Sequence, residues 1–111
     1  MKKGEWTFLT NHGRVLAYIA KHPQSTTQEI ANEAGITLRA VQKIIVELEA
    51  GGYLARYREG RRNRYAVHPE IPMRHRLERE HAVGDILVAL GYNAQKEQLI
   101  SKRLEKTPSV A

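Results

Sequence analysis

The chain has 111 residues, of which 41% are hydrophobic, and the absence of cysteine excludes disulfides, thiolate metal ligands and cysteine nucleophiles. This length suits one domain, and the formal net charge of +6 predicts attraction to polyanions such as nucleic acid or an anionic membrane surface. No run approaches the roughly 18 consecutive apolar residues of a membrane span and no signal-peptide core follows the start, so we expect a soluble, cytoplasmic protein.

The first helix is predicted over residues 11–21, where apolar side chains recur with the spacing of one helical face. These apolar side chains are Val15, Leu16, Ile19 and Ala20. The helix should end before Pro23, because proline disfavours a helical conformation in the residue that precedes it. A short second helix is predicted after Thr26, which has with Glu29 the Thr-x-x-Glu spacing of a capping box.

A third helix is predicted over residues 38–50, after a turn of only a few residues. Gly35 can adopt the left-handed conformation that ends the second helix, and Thr37 can cap the third. One stripe of the third helix is apolar and should face the core, which leaves the opposite face free. The stripe consists of Val41, Ile45 and Leu48.

The pattern then changes to that of a β-hairpin, with strands predicted over residues 53–58 and 63–67 and a turn over residues 59–62. A two-stranded hairpin is marginal alone, so we expect it to pack on the helices. The side chains expected to do so are Leu54, Tyr65 and Val67. Residues 25–26 could add a short third strand.

Residues 69–111 are predicted to be a C-terminal extension of a first domain over residues 1–68, and they begin with a loop. Helical spacing returns at Val83, Ile86, Leu87 and Leu90. This stripe could belong to the core, but we favour a dimer interface, which Trp6 and Phe8 could complete if they do not cover the first helix. A weaker helical pattern passes through Leu99, Ile100 and Leu104.

The N-terminal end of the third helix has side chains suited to reading a DNA major groove. Arg39 can form paired hydrogen bonds with guanine, Gln42 can do so with adenine, and Leu38 could touch a thymine methyl group. Lys43 and Thr37, together with the helix N-terminus, are better suited to phosphates.

The hairpin adds a concentration of positive charge. Between residues 39 and 64, seven basic side chains stand against three acidic ones, a balance of +4 that suits binding by counterion release. Arginine at a hairpin tip can also enter a narrow minor groove. The hairpin residues predicted to contact DNA are Arg58, Arg61, Arg62, Asn63 and Arg64.

Several motifs in this order carry a resemblance to a known family. They are Thr-Thr-Gln-Glu-Ile-Ala at 26–31, Gly-Ile-Thr at 35–37, Val41, Leu-Glu-Ala-Gly-Gly-Tyr-Leu at 48–54 and Gly-Arg-Arg-Asn-Arg-Tyr at 60–65. Together they resemble the winged helix-turn-helix regulators of the broad MarR/ArsR-like group. The resemblance implies an α+β, mainly α fold: three helices with a two- to three-stranded wing, here followed by one or two C-terminal helices. It also implies a dimer whose third helix reads the major groove.

We therefore predict a sequence-specific regulator that binds double-stranded DNA, acts most simply as a repressor and pairs as a homodimer, without a cofactor. Two alternatives stay open: a winged-helix module for protein–protein interaction, and a nonspecific architectural DNA-binding protein. An effector is neither indicated nor identified by the sequence. Single-stranded nucleic acid is less favoured, because Tyr57 is the only aromatic residue on the hairpin placed for stacking.

Neither a metal site nor catalysis is predicted. His75 and His81, with Glu78 and Glu80, have residue types that suit zinc or nickel, but a third clustered histidine is missing. The serines lie in no nucleophile-elbow context, and no glycine-rich loop could hold a phosphate. We expect a protein that is not an enzyme.

Overall fold

The structure is a computed structural model that describes residues 5–93. Within this range the elements are α1 (Asn11–Lys21), α2 (Thr27–Ala34), α3 (Leu38–Ala50), β1 (Leu54–Glu59), β2 (Arg62–Val67) and α4 (Val83–Ala89). The three predicted helices of the first half are confirmed, and the α+β, mainly α class with them. The helical pattern through Leu99, Ile100 and Leu104 lies outside the described residues. Between residues 5 and 93, no helix has the length and apolar character needed to cross a membrane.

Side-chain caps define where the first three helices begin. The Thr10 hydroxyl accepts from the Gly13 backbone N–H at 3.2 Å, and Thr37 accepts from Ala40 at 3.0 Å. At α2 the capping box is complete, because the Thr26 hydroxyl accepts from the Glu29 N–H at 3.1 Å and the Glu29 carboxylate accepts from the Thr26 N–H at 2.8 Å. Each cap contributes about 1 kcal/mol to helix stability, which explains why the sequence alone located these starts.

The sheet of the described chain has two antiparallel strands, β1 and β2, and we call this hairpin, residues 54–67, the wing. Its last pair is Glu59 with Arg62, so the turn is only two residues long and begins at Gly60, where φ is +64°. Residues 25–26 form no third strand, because the Thr26 N–H is already bonded to Glu29. In place of strand pairing, a backbone hydrogen bond from the Tyr65 N–H to the Pro23 carbonyl at 2.9 Å connects the wing to the loop between α1 and α2.

A single apolar core joins the helices, the wing and α4. The predicted packing of the wing on the helices is confirmed, since Leu54, Tyr65 and Val67 are all buried. The loop before α4 approaches it closely: a Cβ at Gly84 would lie 2.7 Å from the Pro69 Cβ and 2.8 Å from its carbonyl oxygen. Glycine at this position therefore lets α4 pack against the loop. The division between residues 68 and 69 stays a prediction.

The C-terminal apolar stripe is split by the fold. Val83 and Leu87 are buried in the shared core, which corrects their assignment to a dimer interface. Ile86 and Leu90 lie at the edge of the same stripe and remain partly exposed, at 36% and 40%. The reason is that the middle of the stripe covers the core, whereas the side chains at its edge remain in contact with solvent.

Candidate nucleic-acid interface

The N-terminal half of α3 presents its polar side chains to solvent. We call the exposed set the reading end, and it consists of Thr37, Leu38, Arg39, Gln42 and Lys43. Val41, Ile44 and Ile45 lie on the opposite side of the helix and are buried. Because the buried side fixes the rotation of α3, all five predicted residues face outward together.

The wing presents three of its predicted arginines. Arg58, Arg61 and Arg62 are exposed, and Asn63 is half-buried. Arg61 lies in the two-residue turn, where no strand pairing restricts its side chain. The wing thus offers positive charge in its turn and on both strands beside the turn, a distribution that suits a phosphate backbone.

Arg64 is the exception among the predicted wing residues, because its side chain is only 6% exposed. The last four residues of β2 are all buried where the strand enters the domain. There Arg64 lines a cleft with Lys21, Pro23 and Gly91, behind the wing. At this exposure Arg64 offers little surface to a phosphate, and its assignment to the DNA-contacting surface is corrected on that ground.

In the described part of the chain, one side-chain contact ties the wing to the loop between α1 and α2 and another ties it to α3, and neither was found by sequence reasoning. The Gln24 amide donates to the Glu59 carboxylate at 2.6 Å, and the Arg56 guanidinium donates to the Glu49 carboxylate at 2.8 Å. The first contact joins residues 35 positions apart and the second joins residues 7 positions apart. Local sequence patterns do not predict such pairs, because the two residues of each pair come together only when the wing packs against the rest of the domain.

The electrostatic surroundings keep one carboxylate charged beside the wing. The backbone N–H of Thr26 lowers the pKa of Glu29, and the Thr26 hydroxyl and the positive charge of Arg62 act in the same direction. At the base of the wing, burial raises the pKa of the Tyr65 phenol. Glu29 therefore lies in the field of Arg62, so that part of the charge of this arginine is balanced from within the chain.

The histidine residues do not assemble into a metal site in the part of the chain that the structure describes. Between residues 5 and 93, no group of three or more histidine and acidic side chains is placed to hold a metal ion. His75 lies 3.6 Å from Glu78, whereas His81 lies 3.3 Å from Asp85. The two histidines thus belong to separate exposed pairs.

Comparison with known families settles the relationship that the wing and the capped helices suggest. The model of the MarR family matches residues 7–64, more than half of the chain. The chain belongs to the MarR family. This confirms the resemblance found in the sequence, and it places the chain among transcription regulators rather than enzymes. No curated protein sequence gives a significant match.

Solved structures of low sequence identity share the fold of this MarR-family chain. MepR of Staphylococcus aureus, a transcription regulator of the multidrug efflux pump MepA, has a TM-score of 0.51 and 19% identity, with 84% of this chain and 64% of MepR covered. A MepR variant bound to an oligodeoxyribonucleotide has a TM-score of 0.51 and 17% identity, with 90% of this chain and 66% of the variant covered.

A third solved structure shares the fold at similarly low sequence identity. A variant of ZitR from Lactococcus lactis has a TM-score of 0.50 and 20% identity, with 95% of this chain and 77% of ZitR covered. Of the two MepR structures described above, this chain spans about two thirds of the length. At these identities the likeness concerns the winged-helix fold.

Proposed function

We propose that this MarR-family chain binds double-stranded DNA in a sequence-specific manner. The observation that carries the proposal is that the reading end of α3 is exposed as a unit and is accompanied by exposed arginines on the wing. A helix of this width fits the major groove, while a hairpin beside it can follow the phosphate backbone. The MepR variant was solved with an oligodeoxyribonucleotide, which supports the same ligand class here.

Base reading is assigned to the side chains of the reading end whose chemistry distinguishes bases. Arg39 matches the two acceptors on the major-groove edge of guanine, and Gln42 matches the acceptor and donor of adenine. Leu38, at 38% exposure, offers an apolar contact for a thymine methyl group. Lys43 and Thr37 serve phosphates, which orient the helix without carrying sequence information.

The wing supplies affinity. Arg58, Arg61 and Arg62 neutralise phosphates and release counterions, and Asn63 can donate to a phosphate or sugar oxygen. Arg61, in the turn, is the side chain best placed for a narrow minor groove, where the negative potential is strongest.

Regulation follows most simply from occupancy, because a protein bound over a promoter blocks polymerase, so the expected action is repression. Two copies would read two half-sites about 34 Å apart, and this requires a homodimer. The apolar surface of α4 that remains after core formation is available for pairing. Its exposed apolar side chains are Ile86 and Leu90, at the edge of the buried stripe, and Val88 on the opposite side of the helix, at 54% exposure.

The test is selection from a pool of random duplexes at several salt concentrations, followed by sequencing of the retained DNA. Arg39→Ala is run in parallel, and Arg79→Ala is the matched control, because Arg79 is an exposed arginine distant in sequence from α3 and the wing. We expect an enriched motif that Arg39→Ala loses or relaxes and that Arg79→Ala retains.

Other outcomes of this selection would indicate a different function. Retention without a motif would indicate an architectural DNA-binding protein, in which the reading end contacts only phosphates. No retention even at low salt would reject DNA binding and favour a protein–protein interaction module. Two adjacent copies of the motif would support the homodimer.

A further inference from the structure

The outward face of α3 continues beyond the reading end. Four exposed side chains follow one another along this face with the spacing i, i+4, i+7 and i+11, which aligns residues on one side of a helix. We call them the outer row, and they are Arg39, Lys43, Val46 and Ala50. The first two belong to the reading end. The other two therefore extend the same surface toward the C-terminal end of α3.

The chemical character of the outer row changes along the helix. Arg39 and Lys43 are cationic, whereas Val46 is apolar at 59% exposure and the side chain of Ala50 is a single methyl group. Single exposed apolar side chains are common on protein surfaces, so the exposure of Val46 alone indicates nothing. Its position is informative, because it lies in line with the two cations proposed to meet DNA.

The stability of the domain does not explain a valine at this position. Valine is a weaker helix former than lysine, glutamine or glutamate, because its branched side chain loses rotamer freedom in a helix. The core is filled from the opposite side of α3, by Val41, Ile44 and Leu48. A contact outside the chain therefore accounts for Val46 better than helix propensity or core packing does.

Two acidic side chains flank the second half of the outer row, and both are bonded to other elements. The Glu47 carboxylate lies 2.8 Å from the His12 ring on α1, and the Glu49 carboxylate accepts from Arg56 on β1 at 2.8 Å. Each carboxylate is thus oriented toward a neighbouring element. Because a carboxylate extended over the row would repel phosphates, these contacts favour the approach of DNA to Val46.

We propose that Val46 is a further specificity-determining residue, which contacts the C5-methyl group of a thymine in the major groove. A valine side chain has no hydrogen-bonding group, so the thymine methyl group is the feature of a base edge that it can distinguish there. This inference rests on the proposed DNA binding and deepens it. It requires α3 to lie along the groove instead of entering it by the N-terminal end alone.

Helix geometry predicts the distance between this thymine and the guanine that Arg39 contacts. Val46 follows Arg39 by seven positions, which is about 10.5 Å along the axis at about 1.5 Å per residue. Successive base pairs lie about 3.4 Å apart. We therefore expect the thymine about three base pairs from the guanine. A thymine beside the guanine would belong to Leu38, which is adjacent to Arg39 in α3.

The test uses the DNA site that the wild type selects from random duplexes. Each thymine of this site is replaced in turn by deoxyuridine, which lacks only the C5-methyl group, and affinity is measured by fluorescence anisotropy. For the wild type we expect a loss of about fourfold at the thymine about three base pairs from the guanine, as for one buried methyl group. Val46→Ser should bind thymine and deoxyuridine at that position equally well.

A second probe restores the methyl group on another base. A cytosine–guanine pair in place of this thymine–adenine pair should weaken binding of the wild type. Replacing its cytosine by 5-methylcytosine should recover part of the loss, because the methyl group returns to the same part of the major groove. With Val46→Ser, 5-methylcytosine should bind no better than cytosine. A purely structural role of Val46 would not produce this difference.

Two control variants accompany the deoxyuridine measurements. Val88→Ser is the matched control, because Val88 is similarly exposed, at 54%, but lies on α4. It should keep the sensitivity of the wild type at every thymine. Leu38→Ser should remove sensitivity only at the thymine beside the guanine. Circular dichroism verifies that all variants are folded.

Failure of this inference is distinguishable from failure of the proposed function. If the wild type selects no motif, both are rejected. If Arg39→Ala loses the motif and Val46→Ser selects it unchanged at every position, DNA reading stands but Val46 has no part in it. The absence of a sensitive thymine at the predicted distance, or an equal deoxyuridine effect in wild type and Val46→Ser, would also overturn the inference.

Discussion

The carboxylate of Glu49, near the C-terminal end of α3, lies 2.8 Å from the guanidinium of Arg56 on β1. The same guanidinium lies 5.9 Å from the centre of the Tyr65 ring on β2. The Arg56 side chain on β1 thus contacts both α3 and β2. DNA binding in the proposed manner requires α3 and the wing to meet the duplex together, and this contact is one of those that join them.

Removing either member of this pair should lower DNA affinity more than stability. The two side chains are about one third exposed, so we expect Glu49→Ala or Arg56→Ala to cost less than about 1 kcal/mol of folding free energy. DNA affinity should fall several-fold in each, and the double variant should lose little more, because the contact is already broken. Urea unfolding and fluorescence anisotropy measure the two quantities; strictly additive losses of affinity would contradict a shared role.

The reading end and the wing should differ in how salt affects their variants. Arg39→Ala should cost about 1–3 kcal/mol on the selected site and relax its base preference. Arg61→Ala should weaken binding to all duplexes and reduce the slope of log K against log salt by about one. Titrations on the selected and a scrambled duplex separate the two effects. Similar loss of base preference in both variants would argue against this division of roles.

Arg64 and Arg61 should show opposite phenotypes, although they lie three residues apart. Arg64→Ala removes a buried side chain, so we expect a loss of about 1–3 kcal/mol in the free energy of unfolding. Arg61→Ala should change stability by less than about 0.5 kcal/mol, because Arg61 is exposed. Thermal unfolding of both variants provides the measurement. Unaltered stability of Arg64→Ala would show that its burial has no structural role.

The capping box of α2 should make stability depend on acidic pH. Glu29 has a pKa below its ordinary value of 4.5 in the folded chain, because the Thr26 N–H bonds to its carboxylate. Its contribution is therefore complete above pH 4.5 and is lost as the pH falls through the lower, folded-state pKa.

Glu29→Gln removes this titration while keeping a side chain that can accept the same hydrogen bond. The difference in melting temperature between wild type and Glu29→Gln should be present at neutral pH and should shrink on acidification. Glu33→Gln, an exposed change on the same helix, is the control for general charge effects. A difference that stays constant down to strongly acidic pH would contradict the role of the carboxylate.

The helices were predictable because their signals are local. A capping threonine, a glycine with φ of +72° after α2 and the spacing of apolar residues all act within one or two turns. The reading end was predictable for the same reason, since the apolar stripe of α3 determines which side chains face outward. The sequence by itself thus determined the bounds of α1 and α3, the presence of the wing and the outward orientation of the five residues of the reading end.

Tertiary structure alone decided which of the remaining candidates reach the surface. Arg64 lies in an arginine-rich run like its neighbours, but the entry of β2 into the domain buries it. Leu87 shares its apolar stripe with Leu90, yet only Leu87 covers the core. The pair of Gln24 and Glu59 spans 35 residues. Burial and long-range contacts depend on how separate elements pack together, and no short stretch of sequence contains that information.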